Sequence, residues 1–170
     1  MNAQGRLDYS CTEGRDAGYV VRWKSQQYPS PAEDARLQFQ QVLTVVRELH
    51  NAGVTLVAGT DVGISYQIPG ISLHDELSLL VQAGLSPMDA LEAATRNPVH
   101  TFKLNDQGTI ERGMRADLVL LDASPLDNIE NVRKIRAVVA QGRMFERNEL
   151  DAMLANIQRA AGQWVGTPTR

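Results

Sequence analysis

The chain reads as an α/β protein, and three observations carry that reading. Val54-Thr55-Leu56-Val57-Ala58 is a short apolar run of strand length that ends on Gly59-Thr60-Asp61, so one carboxylate stands where a strand runs out into a loop. Helix-spaced apolar residues flank this run on both sides. Beyond residue 107 the pattern changes to β-branched runs between glycine turns. In a parallel sheet or a (β/α)8 barrel, side chains at the carboxyl ends of strands line the active-site face, which makes Asp61 the first candidate for chemistry.

The preceding helix is predicted from Ala32, because Ala35, Phe39, Val42, Leu43, Val46 and Leu49 recur at spacings of three and four and define one apolar face. Gly53 supplies a left-handed stop. Residues 1–32 are polar and rich in turn formers, with one short strand at Tyr19-Val20-Val21-Arg22-Trp23, and are read mainly as loop. After Asp61 a loop carrying Gly63, Pro69 and Gly70 leads to Ser72, which has Asp75 three residues on at capping-box spacing, and this helix stops at Gly84. Ser86-Pro87-Met88-Asp89 repeats the device with proline at the first helical position. Asn97-Pro98 opens a third helix. Leu118 to Leu121 and Ile135 to Ala140 read as strands, the second meeting a tight turn at Gly142 before Met144-Phe145. Residues from Asn148 to about Trp164 read as a helix whose face of Leu150, Met153, Leu154 and Ile157 is expected to pack back over the rest.

Composition narrows the function classes. The 170 residues are 43% hydrophobic and 22% charged, enough for a sizeable core. A net charge of -3 gives no basic footprint for nucleic acid or an anionic membrane. The first 16 residues lack an apolar stretch of signal-peptide length, and no later segment approaches the roughly 20 apolar residues of a membrane span. The expectation is a soluble, cytoplasmic chain. Cys11 is the single cysteine, has no ligand neighbour at metal spacing, and reads as an incidental thiol.

Taken in order, Gly59-Thr60-Asp61, His74-Asp75-Glu76-Leu77, Ala83-Gly84-Leu85-Ser86-Pro87, Ala90 to Thr95 with Asn97-Pro98, and Ala116-Asp117-Leu118-Val119-Leu120-Leu121-Asp122 resemble the amidohydrolase superfamily. The resemblance is to its C-terminal portion, in the imidazolonepropionase-like and prolidase-like branch, over residues 33–160. It implies the C-terminal part of a (β/α)8 TIM-like barrel plus the C-terminal strands of a small composite β-sandwich. Residues 1–32 would form a loop-rich segment over the barrel mouth, 33–106 the last β/α units, 107–146 the sandwich strands, and 147–170 a C-terminal helix and tail. Within the barrel part, 33–52 look like the seventh helix, 54–59 the eighth strand, and 72–104 the closing helices.

The activity implied is metal-dependent hydrolysis of a carbon-nitrogen bond in an amide, cyclic amide or dipeptide-like substrate, with a divalent metal, zinc foremost, in the full-length enzyme. The family's metal-site carboxylate at the end of strand eight maps onto Asp61, which would touch the metal and take a proton from its water. The remaining ligands of that family, a His-x-His pair, a bridging lysine and two further histidines, have no counterpart here, since only His50, His74 and His100 are present. A catalytic zinc needs about three protein ligands, so the chain alone is expected to hold no metal and to be inactive by itself: a fragment, a truncated product or one piece of a split enzyme. The competing reading is a noncatalytic remnant or assembly subunit that pairs through an open barrel edge, as a homo-oligomer or with a complementing N-terminal chain. A receiver-like domain with Asp61 as phosphoacceptor is disfavoured, because a glycine-punctuated β region follows in place of further strand-helix alternation.

Individual residues have bland alternatives. Asp61 could simply cap a loop after a strand. His74, at a helix start, could contact substrate or orient Asp61 as a neutral imidazole, or merely bond the neighbouring loop. Tyr66 and Gln67 could line a substrate pocket, though such loop residues are common. Asp75 and Glu76 read as capping and first-turn charges. His50, His100, Asp117 and Asp122 read as structural.

Overall fold

A computed structural model describes residues 11–13, 19–21, 31–61 and 68–164. Near the start, β1 (Cys11–Glu13) pairs antiparallel with β2 (Tyr19–Val21), the latter at the position of the strand expected there. Four helices follow: α1 (Pro31–Asn51), α2 (Ser72–Ala83), α3 (Pro87–Ala94) and α4 (Arg96–Thr101). A three-stranded antiparallel sheet is built from β3 (Leu118–Leu121), β4 (Ile135–Ala140) and β5 (Arg143–Glu146), with a 3-10 helix (Ile129–Arg133) between β3 and β4. The helix α5 (Arg147–Trp164) ends the described chain. This mixture of helices and strands bears out the α/β class.

The helix boundaries follow from local chemistry. Gly84 ends α2 with φ 115°, a left-handed angle that only glycine adopts without strain, and the Leu85 N–H turns back to the Leu80 carbonyl. At α3 the expected capping box forms: Ser86 Oγ accepts from the Asp89 N–H, the Asp89 carboxylate accepts from the Ser86 N–H, and Pro87 sits at the start. The capping box expected for α2 does not form. Ile71 holds the cap position without a side-chain bond, and Ser72 Oγ reaches back to accept from the Ile68 N–H. Asp75 points instead to Arg133, a residue 58 positions away that no local rule anticipates.

The hydrophobic core has two contiguous parts. Leu77, Ala90, Ile129 and Val132 form one, and Leu43, Ala83 and Leu85 form the other. Leu80 packs against both and joins them. The 3-10 helix therefore contributes Ile129 and Val132 to the core beneath α2 and α3. Asn128 starts it by accepting the Glu130 N–H on its side-chain oxygen. Between β4 and β5, Gln141 at φ 53° and Gly142 at φ 79° make a two-residue turn with both angles positive, the geometry that matches strand twist in a tight hairpin.

Two expectations need correction. Residues 54–58 are not a strand: among the described residues this segment has no strand neighbour, and its hydrogen bonds run to helices. A strand exists by pairing, and an apolar run without a paired edge keeps only its propensity. The apolar face of α5 is also largely uncovered, with Met153, Leu154 and Ile157 exposed by 41%, 55% and 64%. Only its first turns pack, where Arg147 donates to the Ile135 carbonyl and Leu150 is half-buried. The face of α1 splits in the same way: Leu43 and Val46 pack inward while Val42 and Leu49 are exposed. Periodicity shows that a face is apolar, but it does not supply the element that covers it.

Candidate functional site

Asp61 ends an irregular segment, 54–61, that runs from the close of α1 past the flanks of α2, α3 and α4. Three groups hold this segment. The Asn97 carboxamide, in α4, donates from Nδ2 to the Leu56 carbonyl at 2.9 Å. The Ala93 carbonyl, in α3, accepts from the Ala58 N–H at 2.8 Å. Glu76, in α2, accepts from the Gly59 N–H on Oε1 at 2.7 Å. Leu56 adds an apolar anchor against Leu43, Ala83 and Leu85. Asp61 itself is exposed and sits at φ 50°, a left-handed angle that aspartate tolerates because its short polar side chain can hydrogen-bond the local backbone. The structure thus exposes one carboxylate whose preceding residues are clamped from three helices.

Among the described residues the second oxygen of Glu76, Oε2, is buried without a hydrogen-bond partner. Glu76 and Asn97 are the site residues that sequence reasoning passed over. Both lie in motifs already noticed, Asp75-Glu76 and Asn97-Pro98, but their partners are backbone groups 17 and 41 residues away. Local spacing carries no signal for such a contact.

His74 takes the other side of α2. Ser78, one turn on, donates its one hydroxyl proton to Glu130 Oε1 at 2.5 Å while its Oγ lies 3.0 Å from the His74 carbonyl oxygen, so this face meets the 3-10 helix. Arg133 completes the cluster with bonds to Glu130 at 2.8 Å and Asp75 at 2.6 Å. Burial, and then the Arg133 guanidinium, hold the His74 imidazole below its usual range, against the opposing pull of Asp75 and Glu130. A neutral imidazole was expected from the helix dipole; here desolvation is the larger cause. Among the described residues its Nδ1 is buried and unpartnered. The Glu130 carboxyl is in turn held below its usual range by the Ser78 hydroxyl first and Arg133 second.

Tyr66 and Gln67 lie outside the described residues. His50 pairs at 3.6 Å with Asp89 of the α3 capping box. Asp117 accepts from the Gln141 N–H and pairs with Arg115, and Asp122 pairs with Arg136, which are structural roles. Among the described residues no three His, Cys, Asp or Glu side chains converge as a metal-binding group. Asp61 therefore does not make a metal centre with its described neighbours.

Helices holding a segment that carries an exposed carboxylate, followed by a small antiparallel sheet, make a mixed α/β arrangement. The model of the amidohydrolase family matches residues 32–145, and the chain belongs to that family. It is 38% identical over 79 residues to an imidazolonepropionase of Deinococcus deserti, a match covering 46% of this chain and 20% of that protein. Among solved structures it is similar to a bottromycin amidohydrolase, at 27% identity and a TM-score of 0.71, covering 81% of this chain and 30% of that one. A Xaa-Pro dipeptidase with bound methionine is also similar, at 27% identity and a TM-score of 0.57, covering 62% of this chain and 26% of that one. The chain therefore spans less than a third of the length of each of these relatives. Among the described residues no helix is long and apolar enough to cross a membrane.

Proposed function

We propose that this chain supplies the carboxylate-bearing C-terminal part of a metal-dependent hydrolase of carbon-nitrogen bonds. The substrates are amides, cyclic amides or dipeptide-like molecules, in keeping with the imidazolonepropionase and dipeptidase among the similar proteins. The observation that carries the reading is the position of Asp61, exposed at the end of a clamped segment within the family match. Its role is to accept a proton from the water that attacks the carbonyl carbon. A catalytic metal needs about three protein ligands, so in this reading the others come from outside the described residues. Such a metal would lower the pKa of the attacking water toward neutrality. His74 and Tyr66 are proposed as residues near the substrate or supporting Asp61.

The test is to express the gene with all its in-frame flanking sequence and assay hydrolysis of N-acyl amino acids, Xaa-Pro dipeptides and cyclic imidazolones with added zinc or manganese. The expected result is metal-dependent turnover of one class, reduced about 10²- to 10⁴-fold in kcat by Asp61→Ala. Turnover indifferent to Asp61→Ala would overturn the proposal. Its absence with every substrate and metal would do the same.

A further inference from the structure

We infer that Glu76 is a positioning residue for Asp61, acting through the Gly59 amide; this rests on the reading of Asp61 as the reacting carboxylate. Three observations carry it. Glu76 receives the Gly59 N–H at 2.7 Å, a charge-assisted bond two residues before Asp61. Among the described residues its Oε2 is buried without a donor, so the carboxylate is turned inward with a single backbone contact. A buried acceptor left half-satisfied costs free energy, and a helix glutamate of merely solvating purpose would turn outward. Lastly, Asp61 holds a left-handed backbone angle of 50°, which aspartate adopts more readily than most residues but still at a cost relative to extended backbone.

Asn97 and Ala93 hold Leu56 and Ala58, but Glu76 is the clamp nearest to Asp61 along the chain. Its rigid base is supplied by α2, which is itself tied to the 3-10 helix through Arg133, Asp75, Glu130 and Ser78. Releasing Gly59 frees the backbone of Gly59 and Thr60 to rotate, and the nearest described restraint on the Asp61 backbone angle is lost.

The test uses this chain in solution, labelled for NMR, with no metal or substrate. In Glu76→Ala the Gly59 amide is expected to exchange with solvent roughly ten- to a hundredfold faster, the range for losing a hydrogen bond to a charged group. The Asp61 three-bond amide coupling and Cα shift are expected to leave left-handed values. Leu80 and Val81 amides, in the middle of α2, should keep their protection and so report that the helix still stands. Glu76→Gln retains an acceptor oxygen and should restore both signatures. Glu76→Asp is shorter by one methylene and should not. Asn97→Ala serves as a control for general loosening: Gly59 protection should survive it. The inference is overturned if Asp61 keeps its left-handed signature in Glu76→Ala with α2 protected, or if Glu76→Gln behaves like Glu76→Ala. If Glu76→Ala unfolds α2, the Glu76→Gln and Glu76→Asp pair decides by the same two signatures. Because these readouts need no turnover, a failure of the proposed hydrolysis leaves them standing, and the two readings fall separately.

Discussion

The Asn97 side chain donates to the Leu56 carbonyl across 41 residues, and through that bond the helix opened by Asn97-Pro98 holds the segment that leads to Asp61. The acceptor is half-buried, so removal of the donor leaves a carbonyl without its partner. Asn97→Ala should cost about 1–2 kcal/mol, seen as a lower urea midpoint with unchanged slope. Asn97→Asp should cost more, because a carboxylate oxygen would then face the Leu56 carbonyl oxygen. Equal losses for the two variants would contradict this geometry.

His74 sets the first acid sensitivity. Its folded-state pKa lies below its ordinary 6.5, so the unfolded chain binds its proton more readily. Stability is therefore complete above pH 6.5 and falls as pH drops through 6.5 toward the folded value. Glu130 and Asp89 are shifted downward from 4.5 and 3.8, so their contributions are present above those values and vanish as pH falls below them. Urea midpoints measured across pH should show two stages of loss, and His74→Gln should remove the upper stage alone. A midpoint flat between pH 7 and 5 would exclude the first stage.

Arg133 ties α2 to the 3-10 helix by bonds to Asp75 and Glu130, and all three side chains are partly exposed to water. Screening limits such pairs, so Arg133→Ala should cost only about 0.5–1 kcal/mol at low salt. Most of that cost should disappear near 1 M salt, where the screening length is about 3 Å. Arg133→Lys should recover less than half, since a single ammonium cannot offer the two directed donors that reach both carboxylates. A salt-independent loss would mean that Arg133 acts through packing of its stem.

Gly108 meets two separate demands. It sits at φ 92°, and a Cβ there would lie 2.6 Å from Val99 Cγ2 and 3.2 Å from the Thr95 carbonyl oxygen. Gly108→Ala should destabilise the fold by on the order of 2–4 kcal/mol, combining backbone strain with overpacking. Adding Val99→Ala should return part of the overpacking share and none of the strain share. Denaturation of the two single variants and the double variant measures the split.

The amino-acid sequence by itself determined the elements whose causes are local. Ser86-Pro87-Met88-Asp89 carries its own capping box, Gly84 and Gly53 stop their helices, Gln141-Gly142 turns its hairpin, and the family's signatures fall in order within residues 32–145. It also singled out Asp61 as a carboxylate following an apolar run. Tertiary structure alone decided what those residues touch. Asp75 left its cap for Arg133, Glu76 found the Gly59 amide, Asn97 found the Leu56 carbonyl, and the apolar run 54–58 paired with no strand among the described residues. The reason is one of range. Capping and turn geometry are settled within four or five residues, whereas a hydrogen bond across 17, 41 or 58 residues depends on how helices pack, and a strand depends on a neighbour that its own sequence does not contain.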